Sequence, residues 1–288
     1  MPFSPAPTTD SIWAGTVSLR DRKHKAAIAL NNTAVSLLSR GYYREALDTF
    51  KDSMQLIRSA ANDRHKRCDA DSQPSTEEIS AEDIRSILDR TWKRAAQCRN
   101  TASQDDSANR PFLQVVSSQG SPESIYVALT TDSRGHSPYV ASPMTIDPID
   151  FEDWDDNNEV NFQAGAIIYN YAIAYDCVAE TAAGYDDNDS PKMQLQENTY
   201  RLFHMANSLL ETLSQRVDEE EATVTCFATR FVLLRTFVTH ALIQACSKRD
   251  NLQLEHQEHC ENLEPLLYMM EFHQRMLWMA DQHVAAAA

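Results

Sequence analysis

Apolar and small residues at Leu30, Ala34, Leu37 and Leu38 recur at i, i+4, i+7 and i+8, which marks one face of a helix. Gly41 follows the last of them, where a helix closes by turning left-handed. Ala46, Leu47, Phe50, Met54 and Ile57 then resume the same period. The pattern predicts two helices folded back on each other, the first starting near Leu19 or Arg20 and the second ending near residue 62. Small residues at Ala34 and Ala46 let the backbones approach, and Phe50 and Leu37 fill the seam. Farther on, Ser80-Ala81-Glu82-Asp83 has the spacing of a helix start. The stripe Ile84, Ile87, Leu88, Thr91, Trp92 and Ala95 then predicts a helix over 80–99.

Helical periodicity returns from Val160 through the dense run Ala164 to Tyr175, and again over about 191–216. A third pair is predicted at about 221–248 and 252–284, joined by Arg249-Asp250-Asn251. Its buried sides carry Phe227, Phe231, Leu234, Phe237, Val238, Ala241 and Ala245, then Leu263, Leu266, Leu267, Met270, Phe272, Met276 and Leu277. Pro265 is expected to kink or split the last of these helices. Between the helical blocks, 62–76 and 100–110 read as polar linkers. Phe112 to Val116 and Ile125 to Leu129 flank Gly120-Ser121-Pro122 and predict a β-hairpin over 112–129. Pro138, Pro143 and Pro148 keep the next segment extended.

The run Leu30…Ala34…Leu37…Gly41-x-Tyr43-x-Glu45-Ala46…Phe50…Ser53 resembles the tetratricopeptide repeat (TPR) unit, a helix-turn-helix of about 34 residues. Ser53 departs from it where the family carries alanine, and Arg58 where it carries proline. An internal echo supports the resemblance. Asn170, Ala172 and Tyr175 fall where Asn32, Ala34 and Leu37 stand, and Thr199, Phe203 and Ala206 match Ala46, Phe50 and Ser53. The resemblance implies a mainly all-α chain of stacked hairpins forming a short α-solenoid. Its parts are a flexible lead at 1–19, a first hairpin at 20–62 and an insertion at 63–160 with an acidic segment at 147–159. The second and third pairs follow at 161–288, ending in a capping helix.

Such stacks present the first helix of each pair on a concave surface that holds peptide. The resemblance therefore nominates Asn31, Val35 and Leu38 with Tyr169, Ile173 and Tyr175 as a partner-binding groove. Asn32 and Asn170 either hydrogen-bond a ligand backbone or join neighbouring helices, since buried amides are paired. Family members that clamp chaperone C-termini use Lys and Arg where this chain has Val35, Ser39, Ile173 and Cys177, so a carboxylate clamp is disfavoured. The expected partner is a protein or peptide.

Composition narrows the class. A chain of 288 residues allows one large or two modest domains, and a net charge of −16 argues against general nucleic-acid binding. Only 6 glycines suit a helical chain. Cys68, Cys98, Cys177, Cys226, Cys246 and Cys260 lack close pairing, which fits reduced thiols in a cytoplasmic or nuclear protein. Met1-Pro2-Phe3-Ser4 lacks the features of a signal peptide, and no apolar run reaches membrane-spanning length, so no membrane association is expected.

The acidic run around Phe151, Trp154, Asp155 and Asp156 invites three readings. As a calcium loop it fails, because Asn158 replaces the turn glycine and Ala164 the bidentate glutamate. Asp155-Asp156-x-x-Glu159 resembles the magnesium motif of class I terpenoid synthases, which makes a Mg²⁺-dependent helical enzyme the alternative function. Its companion motif lapses at Lys192 and Gln196. The third reading is a partner-binding segment, set against a plain lead into the next helix. His256 and Cys260 lie one turn apart but lack further ligands, so neither metal nor cofactor is expected. No nucleophile elbow, P-loop or zinc-protease motif occurs. The expectation is a non-enzymatic scaffold or adaptor.

Overall fold

In a computed structural model of the protein, the structure describes residues 18–68, 79–101, 113, 115–117, 142–146, 157–181, 190–217 and 226–287. Among these, the helices are α1 (Leu19–Ser39), α2 (Tyr43–Cys68), α3 (Ala81–Thr101), α4 (Asn157–Thr181), α5 (Ser190–Val217), α6 (Cys226–Ser247) and α7 (Gln253–Ala287). A 3-10 turn at Asp250–Leu252 precedes α7, and two short strands, β1 (Val116–Ser117) and β2 (Met144–Thr145), complete the elements. Apart from that strand pair, the elements of the described residues are helical.

Local chemistry sets the ends of the first hairpin. The Ser18 hydroxyl accepts the Asp21 N–H at 3.1 Å and caps α1. At its other end the Tyr42 N–H reaches the Leu37 carbonyl and the Gly41 N–H the Leu38 carbonyl, both at 3.0 Å. This is a Schellman closure, and Gly41 supplies its left-handed residue with φ 84°. The capping box at the start of α3 also forms: Asp83 N–H meets Ser80 Oγ at 3.2 Å, and Ser80 N–H meets Asp83 Oδ2 at 2.9 Å. The Ser80 N–H, and with it the Ser80 hydroxyl, donates to the Asp83 carboxylate and holds that carboxyl below its ordinary range.

Three helical hairpins, α1/α2, α4/α5 and α6/α7, make up the body. α2 packs on α4 and α5 on α6, so the hairpins stack in chain order, while α3 lies against α1 and α2. The insertion thus lends a helix to the open side of the first hairpin. The predicted seam forms as expected, with Ala34, Ala46 and Phe50 fully buried. Ser53, the departure from the repeat pattern, is also fully buried, and its hydroxyl donates to the Ala27 carbonyl of α1 at 2.7 Å. A buried ion pair, Lys23 Nζ to Asp63 Oδ2 at 2.6 Å, ties α1 to α2 farther along.

Three expectations change. α2 continues to Cys68, six residues beyond the predicted end, because Asp63 is anchored by Lys23. α7 runs unbroken through Pro265, which stands on an exposed side of the helix. The strand expected at 112–116 is realised at Val116–Ser117, but its partner is Met144–Thr145 in parallel register, with Val116 opposite Met144. The other predicted hairpin strand, 125–129, lies outside the described residues. The parallel pairing has a local cause: Pro143 and Thr145 turn one edge of an extended segment toward β1, and the Val116 N–H reaches the Pro143 carbonyl at 3.0 Å.

Candidate functional site

The opposite edge of that extended segment faces α1 and α4. Residues two apart on a strand present their main-chain groups to the same side, so Met144 and Ile146 share this edge. Asn170 of α4 takes the first: its Oδ1 accepts the Met144 N–H at 2.8 Å and its Nδ2 donates to the Met144 carbonyl at 2.7 Å. Asn32 of α1 takes the second in the same way, with the Ile146 N–H on Oδ1 at 2.8 Å and the Ile146 carbonyl on Nδ2 at 2.7 Å.

Asn31 links the two clamps. Its Oδ1 accepts from Asn170 Nδ2 at 2.9 Å, and its Nδ2 donates to Asn32 Oδ1 at 3.1 Å and to the Met144 carbonyl at 3.3 Å. The three amides form one connected network, and Asn31 and Asn170 are fully buried. Such a network in low dielectric is costly to leave half-made. Met144 and Ile146 are themselves sealed in the core, and the Ser142 backbone lies near the Tyr169 hydroxyl. Burial raises the Tyr169 phenol far above its ordinary value, so it stays protonated.

Four of the nominated groove residues are placed by this arrangement or beside it. Asn31, Asn32, Asn170 and Tyr169 surround 142–146, and Tyr169 also stacks on Phe237 with ring centroids 6.4 Å apart. Val35, Leu38 and Ile173 are buried in the helical core. Tyr175 pairs with Tyr171, rings 5.0 Å apart, and Tyr171 reaches Phe50 of α2, so this pair lies on the seam between α2 and α4. Of the former clamp positions, Ser39 is exposed and Cys177 is buried; burial, reinforced by Asp176, raises its thiol.

Phe151, Trp154, Asp155 and Asp156 lie outside the described residues. Glu159, the third residue of the magnesium motif, is engaged by Arg230 Nη2 at 2.8 Å, with both side chains 13% exposed. Arg230 also sits over the Phe162 ring, which ties the start of α4 to α6. His256 Nδ1 and Cys260 Sγ are 3.8 Å apart on an exposed turn. Among the described residues no group of three or more His, Cys, Asp or Glu converges as a metal set, and no helix is long and apolar enough to cross a membrane.

Sequence reasoning found the asparagines but missed their occupant, Ser142 to Ile146. The only signal for that segment was the proline spacing that kept it extended. No protein-family model matches the chain, and no curated protein and no solved structure is significantly similar to it.

Proposed function

We propose that the chain is a non-enzymatic interaction scaffold of TPR-like helical hairpins, whose α1/α4 cleft grips an extended polypeptide by its main chain. The observation that carries this reading is the pair of bidentate asparagines, each taking both the N–H and the carbonyl of one residue of 142–146. Contacts of that kind read backbone, so another segment with apolar side chains at the positions of Met144 and Ile146 fits the same cleft. The equivalence of Asn32 and Asn170, on the first helices of the first two hairpins, supports a repeated structural unit. The segment 142–146 acts as a resident occupant that a partner exchanges with. The pairing of Glu159 with Arg230 weighs against the magnesium-enzyme alternative.

A labelled peptide of residues 139–149, titrated into the full chain and followed by fluorescence anisotropy, tests this. A tethered occupant competes at an effective concentration on the order of millimolar, so wild-type binding is weak. Met144→Ser weakens the resident segment and binds the peptide more tightly. Adding Asn32→Ala and Asn170→Ala to that variant abolishes the gain. A folded Met144→Ser protein that binds no better than wild type refutes the exchange.

A further inference from the structure

Helix α7 carries two apolar stripes. The first, Leu263, Leu266 and Met270 at i, i+3 and i+7, is buried or half-buried on the side of the helix that packs on α6. The second, Pro265, Tyr268, Met269 and Phe272 at i, i+3, i+4 and i+7, is exposed: Tyr268 is 72% and Phe272 47% accessible. A contiguous exposed stripe of this kind marks a surface that docks something.

The charges around it select the occupant. Glu258, Glu261, Glu264 and Glu271 are all exposed on the same helix, whereas Arg275 is its single Lys or Arg and is engaged by Glu271 at 2.5 Å. A second copy laid against this face would bring two such acidic rows together, and like charges facing each other oppose docking. A helix with an apolar stripe flanked by lysine or arginine satisfies both features. We propose that the outward face of α7 is a docking surface for a basic amphipathic helix. This surface is separate from the asparagine cleft and does not depend on the reading given for it. The chain's net charge of −16 adds long-range attraction for such a partner.

The test uses the full-length protein and two synthetic helical peptides with identical leucine stripes, one flanked by lysine and one by glutamate, with binding followed by fluorescence anisotropy. The lysine peptide binds at least about tenfold more tightly than the glutamate peptide, and that preference shrinks as salt screens the acids. The double variant Tyr268→Ser/Phe272→Ser loses the lysine peptide while keeping helical content and Tm. The double variant Glu261→Gln/Glu264→Gln keeps residual binding with a flatter salt dependence. Equal or absent binding of the two peptides overturns the proposal, as does retention of binding in the serine variant. Sedimentation showing that the wild-type chain pairs with itself through Tyr268 also overturns it.

Discussion

Replacing Asn170 by alanine removes two hydrogen bonds to Met144, of 2.7 and 2.8 Å, and one of 2.9 Å to Asn31. The Met144 N–H then has no acceptor in a position sealed from water, since Met144 and Asn170 are both fully buried. The Met144 carbonyl keeps only the long contact to Asn31. A typical bond contributes about 1 kcal/mol net, and stranding a buried polar group adds about 1–3 kcal/mol, so Asn170→Ala costs about 2–4 kcal/mol. Asn32 makes the equivalent pair with Ile146 but is half-buried, so water replaces part of what is lost. Its alanine variant costs about 1–2 kcal/mol on the same reasoning. Equilibrium unfolding in urea, read from the midpoint at constant slope, separates the two. Asn170→Asp keeps an acceptor for the Met144 N–H but sets an oxygen against the Met144 carbonyl and Asn31 Oδ1. The carboxyl fits there only with its proton, so this variant loses stability as pH rises. A loss for Asn170→Ala of no more than about 0.5 kcal/mol, the scale of an ordinary surface change, or a larger loss for Asn32→Ala, would refute these roles.

Gly41→Ala forces a side chain into φ 84° and is expected to cost about 1–2 kcal/mol by thermal unfolding. The Lys23–Asp63 pair is asymmetric, with Lys23 fully buried and Asp63 19% exposed. Asp63→Asn therefore strands a buried cation and costs about 3 kcal/mol, whereas Lys23→Met costs less; equal losses in urea would contradict this. His24 is held down to about 3 by burial, with Arg20 adding to it, against an ordinary value of 6.5. Its neutral form is favoured in the fold, so its contribution is complete above pH 6.5 and is lost as pH falls toward 3. The slope approaches about 1.4 kcal/mol per pH unit, and His24→Gln should flatten it in urea titrations between pH 6 and 4.

The helices were legible because a 3.6-residue period leaves a mark in every turn. Leu30, Ala34 and Leu37 name the buried face of α1, and Gly41 names its end. The last six residues of α2 were not legible, since Asp63 to Cys68 are mostly polar and are tied in by Lys23, forty positions away. A two-residue strand has no period at all. β2 owes its place to asparagines on two distant helices and to Val116, none of which its own residues announce. The amides stood out as polar residues on apolar faces. Whether they hold a foreign peptide or the chain itself is a tertiary fact, written in distances such as Asn32 to Ile146. The second stripe of α7 is the reverse case: Phe272 and Leu267 read as core by period, yet both are exposed, while Leu266 and Met270 of the same helix are buried.

Asparagine side chains hold the main chain of 142–146 in the cleft. Residue-resolved amide hydrogen exchange at Met144 and Ile146 tests it most directly, because those N–H groups bond to Asn170 and Asn32 and to no backbone carbonyl in a ladder. The account predicts strong protection at both in the wild type, lost at Ile146 in Asn32→Ala and at Met144 in Asn170→Ala. Exchange of both amides at the rate of an unstructured peptide in the wild type would contradict it.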